Sequence, residues 1–445
     1  MAGRGYDLGL AIASYEWMAA VTLVVVGLFF LPRFLRAGIY TIPEYLEYRY
    51  GVPARTLMSV YMMLAYVFVA LATVLYSGAL ALNAIFDLHI VLSIWLIGLL
   101  AGAYTIYGGL RAVVWSDLIQ GIALLLGGLL VTLLALDRIG GVAEFLRLGA
   151  DKLHTVLPAD HPEMPWVAVF IGGLWIPNLF YWGLNQFITQ RTLAARSLRD
   201  GQRGILLAAA LKLLIPFIIV FPGIMAAQLF AEEITQGDQA YPILIRELLP
   251  AGLSGIMFAA LFGAVMSTLD SLLNSAATIF TMDLYSRHFR RDADSRRQIV
   301  VGRITTAVLV VAGCLWAPMV ARTGSVFTYI QMFWGFISPG IVAVFVFGLL
   351  WKRVPLRAAV GAMLLGIPVY GGLLWLLPTI AFLHHMAITF LVLGVWIAVY
   401  SLLAPDREIR EMPAPADFDL TPSRGVTWAG ALIVAATVVL YVVFR

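Results

Sequence analysis

Long apolar runs constrain this chain more than any other feature of its sequence. An α-helix needs about 20 apolar residues to cross the roughly 30 Å hydrocarbon core of a membrane, where every backbone polar group must be paired internally. Twelve runs of suitable length lie at about 8–32, 56–83, 88–106, 112–136, 166–187, 204–230, 253–284, 301–321, 325–351, 356–377, 385–403 and 425–445. The sequence therefore predicts an all-α polytopic membrane protein of about 12 transmembrane helices in the lipid bilayer.

The composition agrees with this class and argues against several others. Hydrophobic residues make up 62% of the chain and charged residues 12%, whereas soluble domains carry about 25% charge. The net charge of +4 comes with arginines that cluster in loops, so no nucleic-acid partner is expected. Cys314 is the single cysteine, which rules out an internal disulfide. No nucleotide-binding loop, dinucleotide fingerprint or paired-histidine metal helix is present, so an enzyme is not expected.

The charges of the loops predict how the chain crosses the cell membrane. Basic residues concentrate in cytoplasmic loops, and the loops at 33–55, 190–204, 285–303 and 352–357 are rich in arginine. The loop at 231–246 is acidic and is assigned to the outside. Alternation from these loops predicts a multi-pass protein whose N-terminus and C-terminus both lie outside.

The span at 166–187 indicates an internal duplication. It is interrupted by Gly172-Gly173, Pro177 and Gly183, and interrupted helices in two inverted halves are typical of transporter binding sites. Five spans, 166–351, would form the second repeat. Four spans, 8–136, would form the remnant of the first, and 356–445 would be peripheral C-terminal helices. This pattern predicts an inverted five-helix-repeat transporter fold that lacks its first core helix.

Three ionisable residues fall within or near predicted spans. Glu16 and Lys212 lie well inside theirs, and Asp117 lies near the start of the fourth. Such residues are costly in a membrane and mark a pathway by default. Two alternatives remain open: Glu16 and Lys212 can form a pair that only holds helices together, and Asp117 can be an interfacial helix-start residue.

Amides and aromatic residues accompany the interrupted span. Asn178, Tyr181 and Trp182 lie within it, and Gln331 is a lone amide in a later apolar span. Amides and freed backbone groups suit a polyhydroxylated ligand, and aromatic rings can stack on a sugar. The alternatives are an aromatic packing cluster and an interhelical hydrogen bond of Gln331.

The stretch 262–285 carries a polar stripe at membrane depth. Ala264, Ser267 and Thr268 share one helical face, since they are three and four residues apart. The stripe continues through Ser271, and Asp270 adds a carboxylate. Hard cations prefer oxygen ligands, so the stretch predicts a cation site, although hydroxyls also back-bond in membrane helices.

Several motifs resemble those of the sodium/solute symporter family. They include Ser14-Tyr-Glu-Trp-Met18, Tyr107-Gly-Gly-Leu-Arg-Ala-Val-Val-Trp-Ser-Asp117, Gly172-Gly-Leu-Trp-Ile-Pro-Asn178, Gln190-Arg-Thr-Leu-Ala-Ala195 and Ala277-Thr-Ile-Phe-Thr-Met-Asp283. The resemblance covers nearly the whole chain. It implies a sodium-coupled secondary active symporter that imports a sugar of the galactose or glucose type by alternating access.

The resemblance also implies roles for individual residues. The sugar contacts would be Tyr15, Glu16, Asn178, Lys212 and Gln331, and Tyr181 would close the sugar site toward the cytoplasm. The coupling Na⁺ would bind at Ala264, through its carbonyl oxygen, and at Ser267 and Thr268. A possible second Na⁺ would bind at Asp117, Ser267, Asp270 and Ser271.

The chain departs from the family pattern in three ways, which keep other functions open. It begins where the first core helix of the family is ending, and we expect a truncated gene model to be the reason. Ala19 and Ala70 stand where galactose transporters have polar contacts, and Asp270 replaces a small or hydroxyl residue. A symporter for another polar solute is one alternative, and a non-transporting sensor or scaffold on the same fold is the other.

Overall fold

The computed structural model of the chain describes residues 1–290, 292, 294–323, 325–406, 413 and 419–445, with the backbone alone at 84–85, 108–117 and 323. The described part is helical and holds no β-strand, apart from one isolated bridge between Leu157 and Pro165. Twelve of its helical segments are long and apolar enough to cross a membrane. The predicted all-α polytopic architecture is confirmed.

The helices follow the apolar runs of the sequence. In chain order they are α1 (Ala2–Ala37), α2 (Ile42–Tyr50), α3 (Val52–Asn83), α4 (Ile90–Ile139), α5 (Val142–Leu148), α6 (Trp166–Leu184), α7 (Gln186–Leu193), α8 (Leu198–Leu229), α9 (Ala240–Leu248), α10 (Ala251–Phe289), α11 (Ser295–Arg322), α12 (Val326–Leu350), α13 (Leu356–Leu376), α14 (Phe382–Leu403) and α15 (Val426–Val443).

Helix α4 differs from the sequence prediction. The sequence predicted two spans with a break between 106 and 112, whereas the structure has one helix of 50 residues. Its two apolar segments are Ile90–Tyr107 and Leu118–Ile139. The stretch between them contains Gly108-Gly109, Arg111 and Asp117 but no proline. Glycine weakens a helix by about 1 kcal/mol without the steric block of a proline.

The predicted interruption of α6 is present. The helix breaks after Trp166–Phe170 and resumes at Trp175–Leu179. A Cβ atom on Gly173 would lie 1.8 Å from the carbonyl oxygen of Leu383. The backbone of α14 therefore approaches α6 too closely for any residue but glycine at this break.

The core of the fold forms where long helices cross. Helix α4 packs against α10, and α8 packs against α1 and α4. Helices α12, α13 and α14 pack against one another as a second group, and α15 packs against α1 and α8. The division of the chain into repeats 8–136 and 166–351 stays a prediction.

A buried ionic network ties α2 and α3 to the end of α10. Arg55 Nε donates to Asp283 Oδ1 at 2.7 Å, and Arg55 Nη1 donates to Glu47 Oε2 at 2.7 Å. The Thr41 hydroxyl donates to Asp283 Oδ1 at 2.9 Å, and Arg287 pairs with Glu47. The Asp283 side chain is 0% exposed. Since a buried charge needs partners, this network holds three elements in one arrangement.

Candidate functional site

One cavity of about 240 Å³ collects the residues predicted to contact a solute. It lies among α1, α6, α8 and α12, so its walls come from four helices that are distant in sequence. Its lining includes Tyr15, Glu16, Asn178, Tyr181, Lys212 and Gln331. The structure thus brings all six predicted residues to one place. Sites for drug-sized ligands measure roughly 300–1,000 Å³, so this cavity suits a single small solute.

Glu16 and Lys212 form an ion pair in the wall of this cavity. Lys212 Nζ lies 2.5 Å from Glu16 Oε2, and the two side chains are 17% and 14% exposed, respectively. Lys212 Nζ also sits 4.0 Å from the centroid of the Trp182 ring. An ammonium group has three donors and a carboxylate has several acceptor positions. The pair therefore keeps hydrogen-bonding capacity for a ligand while its charges compensate each other.

Two amides add further polar groups to the lining. Asn178 is 4% exposed and follows the break in α6, and its Nδ2 is buried without a hydrogen-bond partner. Gln331 is half-buried on α12, and its side chain makes no hydrogen bond within the described residues. Amides can both donate and accept. They suit a ligand with several hydroxyl groups.

Aromatic rings form the remaining walls. The rings of Tyr15 and Phe327 meet edge to face at 4.8 Å. The Tyr181 ring contacts Trp182 at 5.0 Å and Trp334 at 6.3 Å. Such edge-to-face contacts fix ring positions, each contributing about 0.5–1.5 kcal/mol beyond area burial. Tyr181 is therefore held in place at the lining by neighbouring rings.

The residues predicted for the coupling sodium lie on α10. Ala264, Ser267 and Thr268 are all half-buried. The Thr268 hydroxyl donates to the carbonyl oxygen of Ala264 at 2.8 Å. A hydroxyl oxygen that donates its proton still offers lone pairs, so the face presents oxygens of the kind that Na⁺ prefers.

The residues proposed for a second sodium lie one turn further along α10. Asp270 is 1% exposed, and its Oδ1 accepts a hydrogen bond from the Thr105 hydroxyl at 2.5 Å. The Ser271 hydroxyl accepts a hydrogen bond from Arg191 Nη2 at 2.6 Å. The side chain of Asp117 lies outside the described residues.

Four neighbours of these sites were not predicted as site residues. Phe327 and Trp334 line the cavity, while Thr105 and Arg191 contact Asp270 and Ser271. Phe327 and Trp334 lie four residues before and three after Gln331, so helical spacing placed them on its face. Nothing in the sequence around Thr105 and Arg191 indicates a site role, because their partners Asp270 and Ser271 are distant in sequence.

A cavity between crossing helices beside an interrupted helix is typical of membrane transporters. Residues 1–366 match the sodium:solute symporter family. The chain belongs to this family, and Na⁺ is its coupling ion.

Known relatives support this membership. The chain is 43% identical to a sodium/glucose cotransporter of Vibrio parahaemolyticus over 90% of its own length and 79% of that protein. It is 35% identical to an uncharacterised symporter of Escherichia coli (strain K12), over 99% of this chain and 80% of that one. It is also 35% identical to sodium/myo-inositol cotransporter 2 of Sus scrofa, over 82% of this chain and 60% of that longer protein. These relatives are transporters rather than enzymes.

Solved structures share the fold. The structure of a Na⁺-coupled sialic acid symporter superposes with a TM-score of 0.78 at 23% identity, over 91% of this chain and 86% of that one. Mhp1, a nucleobase-cation-symport-1 family transporter, superposes with a TM-score of 0.55 at 15% identity, over 96% of this chain and 94% of that one. The predicted symporter fold is confirmed.

Proposed function

We propose that this chain imports a neutral polyhydroxylated solute, a sugar of the galactose or glucose type or a cyclic polyol, together with Na⁺. The observation that carries the proposal is the cavity lined by Glu16, Lys212, Asn178 and Gln331. These four residues offer donors and acceptors in several directions. Relatives named for glucose and for myo-inositol, both neutral and rich in hydroxyls, support the same class.

The charge of the cavity argues for a neutral solute. Glu16 and Lys212 are the charged side chains in its lining, and they neutralise each other at 2.5 Å. A ligand carboxylate would have to compete with Glu16 for Lys212 and would leave Glu16 unpaired at membrane depth, which is costly. An anionic sugar therefore fits this cavity less well than a neutral one.

Residues on α10 are proposed to hold the coupling ion. Ala264, by its carbonyl oxygen, with Ser267 and Thr268 would bind Na⁺. Asp117, Ser267, Asp270 and Ser271 would bind a possible second Na⁺. Sodium then favours solute binding, and solute favours sodium binding by the same factor, since their coupling is one shared free energy.

The mechanism follows from where these groups lie. Solute displaces water from the cavity and takes up the free hydrogen-bonding positions of Glu16, Lys212 and the amides. The ring of Tyr181, held by Trp182 and Trp334, stands in the wall and closes it toward the cytoplasm. Displacement of this ring would open the inner path, so that the two faces of the membrane gain access in alternation.

Uptake into proteoliposomes tests the proposal. The purified chain is reconstituted, and an inward Na⁺ gradient is imposed with labelled galactose, glucose or myo-inositol outside and sialic acid as the anionic comparator. We expect uptake of at least one neutral solute, loss of uptake when K⁺ replaces Na⁺, and little uptake of sialic acid. Equal uptake in K⁺ would contradict sodium coupling. Binding without uptake would favour the sensor or scaffold.

The topology is also a proposal. Both chain ends are placed outside by the loop charges, and Cys314, the single cysteine, is buried. Cysteines introduced by Arg445→Cys and Arg297→Cys should therefore report the two sides. A membrane-impermeant maleimide applied to intact cells should label the first and spare the second, and the reverse pattern would contradict the orientation.

A further inference from the structure

Trp17 lies directly behind the ion pair of the cavity. It follows Glu16 in the chain and is 0% exposed. Its indole Nε1 donates to the carbonyl oxygen of Leu213 at 3.3 Å, and Leu213 follows Lys212. One hydrogen bond thus joins the residue after Glu16 to the residue after Lys212, so the position of Trp17 sets how far apart α1 and α8 hold the pair.

Aromatic residues at the end of α15 fix the position of Trp17. The Tyr441 ring meets the Trp17 ring edge to face, with centroids 5.3 Å apart and an interplanar angle of 82°. The Phe444 ring lies 6.2 Å from Trp17 and 6.1 Å from Phe217 of α8. We call Tyr441 and Phe444 the aromatic clamp, because they contact side chains of both helices that carry the pair.

Contacts along α15 anchor the aromatic clamp. A Cβ atom on Gly430 would lie 2.7 Å from Val24 Cγ1, so α15 and α1 approach closely at this glycine. At the other end, the backbone N–H and the hydroxyl of Thr155 donate to the carbonyl oxygen of Phe444 at 2.8 and 2.7 Å. The backbone that carries the clamp is therefore held at two points.

We propose that Tyr441 and Phe444 are positioning residues of the solute site, acting on Glu16 and Lys212 through Trp17. The inference rests on the proposed function and adds residues to its solute site. Both residues lie beyond residues 1–366, which match the family. Without the clamp, Trp17 gains freedom to move and the hydrogen bond to Leu213 loosens. The ion pair then meets the solute in many arrangements, which weakens solute binding. The candidate sodium residues lie on α10 and should keep their ion affinity.

Variants on the two faces of α15 test the proposal in the full chain. Tyr441→Leu and Phe444→Leu, singly and combined, remove the rings but keep apolar volume, while Tyr441→Phe keeps the ring. Trp428→Leu and Val442→Ala are the matched controls, because these side chains are 79% and 70% exposed on the same helix. The readouts are KM and maximal rate of Na⁺-driven uptake of the neutral solute that the wild type transports best. Sodium affinity without solute is read from the Na⁺ dependence of the thermal midpoint.

The expected result separates positioning from general stability. In the double variant KM should rise about tenfold, a change worth about 1.4 kcal/mol. Its sodium affinity without solute and its maximal rate per folded protein should stay within about twofold, and Tyr441→Phe should restore the wild-type KM.

An unchanged KM in the folded double variant would overturn the proposal, and so would an equal rise in the two controls. Should the double variant fail to fold, the single variants decide by the same criteria. If the wild type transports no solute at all, the proposed function fails, and the positioning role falls with it. If the wild type transports solute and the KM of the double variant is unchanged, only the positioning role of the aromatic clamp is refuted.

Discussion

Two buried ion pairs of this protein differ in what surrounds them. Lys212 and Glu16 meet at 2.5 Å in the wall of a cavity, with 17% and 14% of their side chains exposed. Arg55 and Asp283 meet at the end of α10, where the Asp283 side chain is 0% exposed and Thr41 and Glu47 complete the network. The first pair lines a cavity, whereas the second is enclosed by side chains of α2, α3 and α10.

The surroundings of a charge pair distinguish a ligand-binding pair from a structural pair in a membrane protein. Sequence alone marks Glu16 and Lys212 as costly charges at membrane depth, whereas Arg55 and Asp283 lie at the ends of predicted spans and do not stand out. Hydrogen-bonding capacity beside an open volume indicates ligand binding, and enclosure by several elements that the pair joins indicates a role in stability. Four substitutions test this distinction and the assignments of the neighbouring residues.

The largest effect is expected for Asp283→Ala. Asp283→Ala breaks the more deeply buried of the two ion pairs of Arg55 and leaves Glu47 as its remaining carboxylate partner. Removing one partner of a buried pair costs about 3–5 kcal/mol of stability. The thermal midpoint of the purified protein should fall strongly, while KM for solute in the remaining folded fraction stays unchanged. Asp292→Ala is the control, because Asp292 is exposed near the same end of α10. A raised KM at an unchanged thermal midpoint would show that the Arg55–Asp283 pair acts on the solute rather than on stability.

Glu16→Gln should act in the opposite way. The amide keeps the shape of the side chain but removes the charge that orders Lys212 and binds solute. Hydrogen bonds to charged groups contribute about 1.5–3 kcal/mol, so KM should rise about 10- to 100-fold. The thermal midpoint should fall less than in Asp283→Ala, because the amide oxygen still accepts from Lys212 and the ammonium group faces the cavity. Glu144→Gln, in the exposed pair with Arg147, should leave uptake unaltered. A wild-type KM for Glu16→Gln would remove this pair from the solute site.

Ser267→Ala should affect sodium rather than solute. Loss of one neutral oxygen ligand at about 1 kcal/mol corresponds to about a fivefold rise in the Na⁺ concentration for half-maximal uptake. Ser254→Ala removes a hydroxyl from the same helix outside the predicted site and should leave that concentration as it is. Unchanged sodium dependence in Ser267→Ala would contradict the assignment of this face to Na⁺.

The smallest effect is expected for Tyr181→Phe. The Tyr181 hydroxyl makes no hydrogen bond within the described residues, and the ring contacts with Trp182 and Trp334 are retained. Efflux of preloaded solute should change by less than about twofold, whereas Tyr181→Ala should raise it because the wall loses its ring. Equal efflux from both variants would show that Tyr181 does not close the cavity.

Much of the site could be predicted before the fold was known. Glu16, Lys212, Asn178 and Gln331 stand out because polar groups in apolar spans are rare and costly, a property that is visible locally. Thr105 and Arg191 could not be found in this way. Each acts on α10 from a position 165 or 80 residues away, and a threonine or an arginine in the chain is unremarkable until its partner is known.

The sequence by itself determined the class of this protein, its approximate spans and the broken helix α6, because hydropathy and glycine placement act within a few turns of chain. It also placed candidate ligands on helical faces. Only the tertiary structure decided that α4 continues through both of its apolar segments. It also decided that four helices enclose one cavity, and that α15 reaches Trp17 behind the Glu16–Lys212 pair. These outcomes depend on which apolar faces pack together, and in a chain that is apolar almost throughout, local pattern cannot choose among them.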